Sequence, residues 1–248
     1  MRSALRSLAR RLLGSRLGRT VVGVAALERP DLLLGALGWS LSRERRFSDV
    51  RQWPQSLSGF EDVAPLVLSS NPANRGLAAM SLVEAAHLWR LAGGAADATL
   101  VEIGRERGGS TLILGAALAG RGRLVSFDPQ GKLGSSSYDD ELRSALARYG
   151  IGNVELRLED SHTAELPEGE YALVLVDGDP SYEGTKRDFD RFCRRLRPAG
   201  HALFHDAAAG GPRSRQLAPL VEEIERDPEF ERQPDVGTFV HFIRTIGP

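Results

Sequence analysis

The chain has 248 residues, 42% of them hydrophobic, which suits one generous domain or a domain with a large appendage. A formal net charge of −1 gives no whole-chain basis for nucleic-acid binding, and a single cysteine, Cys193, excludes an internal disulfide and a cysteine-based metal cluster. The apolar run Leu32–Leu41 falls far short of the ~20 residues that span a bilayer.

Residues 1–20 carry six Arg and no acid, so residues 21–248 hold a net −7. Leu5, Leu8, Leu12 and Leu13 fall at helical spacing, with Arg2, Arg6 and Arg10 on a neighbouring face. Three readings stand: a helix packed on its own domain or a partner, a peripheral membrane helix on an anionic surface, or a transit peptide. A secretory signal is not expected, since no clean apolar region and cleavage site follow the basic residues. With one cysteine in the chain, a reducing, cytoplasmic setting is expected, with membrane-peripheral attachment through residues 1–20 as its variant. Asp49–Asn74 holds Pro54, Gly59, Pro65 and Pro72 and reads as irregular connection. Residues 1–75 thus read as a basic, helical extension with its connection, and residues 76–248 as the functional domain. The basic segment before Arg19 is expected to be dispensable for folding.

Leu77–Leu91 is apolar-periodic and ends at Gly93 and Gly94, the pattern of a helix. Strands then alternate with helices. Strands are expected over 98–104, 123–128, 154–160, 171–177 and 201–206, and helices over 110–120, 139–149, 182–196 and 217–226. Runs near 229–233 and 238–244 read as a closing antiparallel pair. The order implies an α/β, Rossmann-like doubly wound sheet of seven strands, mostly parallel with an antiparallel C-terminal strand. Cys193, in RFCRRL, reads as a half-buried structural thiol on a helix. His87, His162, His201 and His241 show no paired spacing, and Asp188 and Asp190 are expected to face solvent or to pair with nearby Arg.

Glu102, Asp128, Asp160, Asp177 and Asp206 each close an expected strand. One such acid is usually a cap or a turn former, whereas five on one rim favour a ligand site beyond the carboxyl ends of the strands. The loop VEIGRERGGST (101–111) offers Gly104, Gly108 and Gly109 for a tight turn, then helix N-terminal amides at Ser110 and Thr111. Its spacing is not the G-x-G-x-x-G of a pyrophosphate loop, and Glu102 suits a ligand bearing an amine or a sulfonium. Asp128, ending the second strand, is placed to hold ribose hydroxyls.

Taken together, E-x-G-x-x-x-G, FD on the second strand, EDS on the third and VDGDPSYEGTKRDF…LRPAGHALFHDA resemble the class I S-adenosylmethionine-dependent methyltransferases. Within that class the chain is similar to a bacterial branch with a DGDxSYEGxKRD motif, which includes macrolide sugar O-methyltransferases and cephalosporin-hydroxylase-like proteins. The likeness spans roughly Leu77–Arg244. It implies S-adenosylmethionine as cofactor: Glu102 and Gly104 at its methionine part, with Gly108 and Ser110 in the same loop, Asp128 at the ribose, Asp160 and Ser161 beside the adenine, and Asp177 near the methyl group. Pro180 departs from the family, which usually has His there.

Asp177 and Asp206 end strands expected to be neighbours, ~4.8 Å apart. Two carboxylates so close need a cation or a proton, and a divalent metal, most simply Mg²⁺, would serve and would lower the pKa of a bound hydroxyl. The alternative leaves Asp177 to the cofactor and Asp206 to backbone donors. His205 and Asp179 are the candidate bases. The leading expectation is methyl transfer to a hydroxyl of a small molecule or sugar, with no nucleic-acid partner and with a homo-oligomer among the assemblies considered. An NAD(P)-dependent oxidoreductase on the same layered fold, and a non-catalytic cofactor-fold module tethered by its N-terminus, are the other readings.

Overall fold

The computed structural model describes residues 53–69, 78–95, 97–129 and 137–245, so the expectations for residues 1–20 lie outside the described residues. Its elements are α1 (Phe60–Ser69), α2 (Leu82–Gly94), β1 (Thr99–Ile103), α3 (Gly109–Ala117), β2 (Arg123–Phe127), α4 (Ser137–Arg148) and β3 (Val154–Arg157). After these come β4 (Tyr171–Val176), α5 (Tyr182–Phe192), a 3₁₀ turn (Cys193–Arg195), β5 (Leu196–Phe204), α6 (Ser214–Glu225), β6 (Phe230–Val236) and β7 (Phe239–Arg244). One sheet holds all seven strands in the order β3-β2-β1-β4-β5-β7-β6. Strands β1 to β5 pair in parallel, and β7 runs antiparallel between β5 and β6. This is the Rossmann-like doubly wound sheet that the sequence predicts.

The continuous apolar runs reflect a sheet covered on both faces. Alternate residues still separate cleanly. Leu100, Leu173, Leu175 and Leu203 cluster with Leu88 of α2 and Leu112 of α3. Val101, Val174, Val176 and Phe204 cluster instead with Phe189 of α5 and Leu217 of α6. The chain winds from β1 outward to β3, then returns past β1 to β4 and continues the other way. The strand order therefore reverses between β1 and β4, which opens a crevice at their carboxyl ends.

Four readings need correction. The stretch read as irregular connection contains α1. Asp62, in its first turn, accepts the Ser58 and Gly59 amides at 2.9 and 3.3 Å and so organises the helix start. The segment packs on the domain: Val63 is buried, Phe60 meets Trp89, and Tyr149, just after α4, donates its hydroxyl to the carbonyl of Pro54, ahead of α1, at 2.9 Å. The helix expected over 182–196 stops at Phe192, and β5 begins at Leu196 rather than 201. A register shift against β4, from Tyr171↔Leu196 to Leu173↔His201, absorbs the intervening RPAG as a bulge. Cys193 is fully buried in the 3₁₀ turn, not half-buried, and burial pushes its thiol pKa well up.

The fourth correction concerns histidine. His87 on α2, His201 on β5 and His241 on β7 come together on one face of the sheet. His201 Nδ1 lies 3.0 Å from His241 Nε2, and the His87 and His241 rings meet edge to face at 5.2 Å. Burial is the first cause that lowers all three pKa values. Arg90 adds its charge at His87 and His201, and the neighbouring imidazoles add theirs at His241, which takes His87 to about 4 and His241 to about 3. The three rings stay neutral in the fold but take up protons near pH 6.5 when the chain unfolds. The unfolded state therefore gains protons first as pH falls, and stability should decline from about pH 6.5 downward. Denaturant melts of His241→Gln between pH 7 and 4 should show a pH slope shallower by up to about 1.4 kcal/mol per pH unit, one proton's worth. A slope identical to the parent's would remove His241 from the account.

Candidate functional site

The site begins where β1 and β4 part. Asp177 N–H donates to the Ile103 carbonyl at 2.8 Å, and Gly104 N–H donates to Phe127 at 2.9 Å. Gly104 has φ +83°, and a Cβ there would lie 2.3 Å from the Asp177 carbonyl oxygen. Only glycine fits this turn. The β1–α3 loop then crosses the top of the sheet, with Gly108 at φ +88° as the N-cap of α3. A cavity of about 570 Å³ opens beneath the loop, a volume suited to a cofactor or small-molecule site. Gly104, Ser110, Asp128, Asp160, Ser161, Asp177, Asp179, His205 and Asp206 all line it. Glu102 and Gly108 do not.

Glu102 is instead fully buried under α3. Its Oε2 accepts the Thr111 and Ser126 hydroxyls at 2.6 and 2.5 Å, and Oε1 has no hydrogen-bond partner among the described residues. Burial raises its pKa against the pull of the surrounding hydroxyls. Asp128 uses Oδ2 to accept the Arg105 and Glu106 amides at 3.0 and 2.8 Å, so it holds the loop as well as facing the cavity. Asp160 lies three residues beyond the end of β3 and accepts the His162 amide at 2.9 Å.

Ser161 donates its hydroxyl to Asp188 Oδ1 at 2.7 Å. That contact overturns the expectation that Asp188 faces solvent: it is buried, with His162 Nε2 at 3.5 Å, and burial pushes its pKa up to about 6 against the Ser161 hydrogen bond. Asp190 does pair at the surface, but with Lys186 at 2.7 Å rather than with an arginine. Asp179 organises the start of α5, where its Oδ1 accepts the Ser181 amide at 2.9 Å and its carbonyl accepts the Thr185 hydroxyl at 2.9 Å.

Another part of the cavity wall is built from β4, β5 and the loop after β5. His205 is buried, and its Nδ1 lies 3.0 Å from Asp177 Oδ2. Nδ1 must donate to that carboxylate, which leaves Nε2 as the basic nitrogen of the neutral ring. Burial opposes protonation of His205, but the charges and hydrogen bond of Asp177, then Asp206 and Glu84, outweigh it and raise its pKa. Asp206 packs beside this pair, with Thr238 Oγ1 at 3.4 Å from its Oδ1. Thr238 in turn donates its amide and hydroxyl to Glu84 of α2 at 2.5 and 2.7 Å.

Two arginines were invisible to sequence reasoning. Arg213, just before α6, places Nη1 3.2 Å from Asp177 Oδ1 and Nε 4.0 Å from Asp206 Oδ2. Arg105, within the β1–α3 loop, is fully buried. It grips Asp139 of α4 with Nε and Nη2 at 3.0 and 2.7 Å, and its Nη1 donates to the Ser126 and Arg157 carbonyls. A charge surrounded by glycines gave no periodic signal, and its partner lies 34 residues away.

Comparison with known proteins follows the same elements. Residues 101–207 match the family model described as a Methyltransferase domain. The matched segment runs from β1 through Asp206 and so contains every lining acid named above. No curated protein sequence matches the chain. Among solved structures, a methyltransferase from Podospora anserina with S-adenosylhomocysteine bound superposes with a TM-score of 0.53 at 18% identity, covering 68% of this chain and 80% of that one. An O-methyltransferase from Bacillus cereus, also in complex with S-adenosylhomocysteine, gives 0.51 at 19%, covering 74% and 88%. A Clostridium thermocellum protein assigned as an rRNA methylase gives 0.51 at 14%, covering 65% and 96%. At these identities the likeness is one of fold.

The β1–α3 loop depends on Arg105. Arg105→Ala should destabilise the protein by about 3–5 kcal/mol, because it leaves Asp139 buried without its partner. Urea unfolding checks this, and a loss below about 1 kcal/mol would show that the pair is not what holds the loop.

Proposed function

We propose that this protein transfers a methyl group from S-adenosylmethionine to a hydroxyl oxygen of a small molecule. The observation that carries the reading is the His205–Asp177 pair in a cavity that Asp128, just after β2, also lines. The methyltransferase domain match over residues 101–207 supports the cofactor class. The cavity fits such a cofactor in size and donor set: Asp128 and Asp160 stand toward β2 and β3, where their carboxylates can accept from ribose hydroxyls and an adenine amine. Gly104 and Ser110 would lie along it, and Ser161 beside it. Glu102, fully enclosed, would act on it only indirectly, through the Thr111 and Ser126 hydroxyls that it holds.

S-adenosylmethionine, when bound, supplies an electrophilic methyl on a cationic sulfur. His205 takes the acceptor's proton at Nε2, while Asp177 holds the ring in the required tautomer and stabilises the imidazolium that results. Asp179, whose Oδ1 is already engaged with Ser181, is the lesser candidate for the base. The walls of the cavity align acceptor and donor, which is the main device in an in-line displacement. A net −7 over residues 21–248 favours a small acceptor over a polyanion.

A second reading adds a divalent cation, most simply Mg²⁺, held by Asp177 and Asp206. It draws on the donor atoms of Asp177, His205 and Asp206, which all lie within 4.8 Å of one another. In that reading the ion lowers the pKa of the acceptor hydroxyl and His205 serves as ligand or as base.

Titration calorimetry should show binding of S-adenosylhomocysteine and none of NAD. NAD binding in its place would return the oxidoreductase reading. With labelled S-adenosylmethionine and a panel of sugars and phenols, His205→Ala should lower turnover by roughly 10²–10⁴-fold while cofactor affinity holds. The rate should rise with pH through a value above the ordinary imidazole pKa of about 6.5, because the raised pKa keeps the base protonated to higher pH. A rate indifferent to both the substitution and the pH would discard His205 as the base.

A further inference from the structure

Asp177 and Asp206 have a cation already. Asp206 adopts φ +63°, a left-handed turn uncommon for a residue with a side chain. The chain then folds back so tightly that a Cβ on Gly211 would lie 2.3 Å from the Asp206 carbonyl oxygen. Arg213 N–H donates to that same oxygen at 3.1 Å, while the Arg213 carbonyl accepts the Gln216 and Leu217 amides at 3.0 Å as α6 begins. The backbone of Arg213 is therefore fixed from both sides, and the eight-residue return brings its guanidinium onto the two acids. Both Asp177 oxygens are engaged, Oδ2 by His205 and Oδ1 by Arg213.

This arrangement fits a divalent ion poorly. A guanidinium cannot lose its proton in a protein. Asp177, Asp206 and Arg213 together carry one net negative charge, and Glu84 nearby is taken by Thr238 and by the Ser81 amide. A hard ion coordinating Asp177 at ~2.0–2.6 Å would face a fixed positive charge on the same carboxylate.

We infer that Arg213 takes the place of the divalent cation in this site, so that the reaction runs without a metal and the guanidinium stabilises the acceptor oxygen as His205 withdraws its proton. The inference deepens the methyltransferase reading and rests on it for the role toward the acceptor. The place of the cation is testable without any acceptor. Electron paramagnetic resonance and calorimetry with Mn²⁺ alone, on the full chain, should find no stoichiometric site in the wild type. Arg213→Met, which keeps much of the side-chain stem, should gain one Mn²⁺ site and bind it roughly 100-fold or more tighter than the wild type, because a nearby unit charge acts strongly on a divalent ion. Adding Asp206→Asn should abolish that site. Stoichiometric Mn²⁺ binding by the wild type, lost in Asp206→Asn, would overturn the inference even if Arg213→Met failed to fold. A folded Arg213→Met that binds no Mn²⁺ would overturn it too. S-adenosylhomocysteine titration of the wild type is read separately: its failure would sink the methyltransferase reading and leave the Mn²⁺ result to decide the place of the cation.

Discussion

The contact on which the rest depends is backbone against backbone, where β1 and β4 separate. The Asp177 amide bonded to Ile103, and the bare Cα of Gly104 pressed against the Asp177 carbonyl, lock two strand ends together at the reversal of strand order. Neither the cavity nor the histidine pair could be placed without this lock. It sets Asp177 at a fixed height above the sheet, and β5 follows one strand over through the His205 amide on Val176 at 3.1 Å. The polar site is thus a consequence of strand register.

A second line of order runs sideways. Ser81 and Glu84 close a capping box at the start of α2, and the same Glu84 carboxylate holds Thr238 in the β6–β7 hairpin. Thr238 leans on Asp206. A helix start, a hairpin and Asp206 at the cavity wall are thus one hydrogen-bonded chain. Burial pushes the Glu84 pKa up, but the hydrogen bonds from Thr238 and the Ser81 amide, with the charge of His205, together bring it below its ordinary value, so a negative charge stands behind His205.

The sheet was legible because its runs are short, apolar and punctuated by acids and glycines, and because strand–helix alternation admits few topologies. The rim acids were legible for the same reason: they follow the strand ends. What escaped was everything set by distant pairing. Arg105 with Asp139, Arg213 with Asp177, and the three-histidine cluster join residues that no local pattern relates. Asp188 is a different case. Thr185, Asp188, Phe189 and Phe192 fall on one buried stripe of α5, and that spacing was open to reading. The expectation of a solvent-facing carboxylate followed residue type where helical period was the better guide. The extra strand length in β5 escaped because a bulge leaves no trace in composition.

Cys193 carries a practical consequence. The chain's one thiol is sealed in the 3₁₀ turn and held in its protonated form, so it is a poor nucleophile under ordinary conditions. The native protein is accordingly close to silent toward maleimides and spin-label reagents. A cysteine introduced at the exposed rim of the cavity, at Pro180 or Asp160, would be the reactive site in the described fold, and a fluorophore or nitroxide placed there would report the cavity mouth with little background.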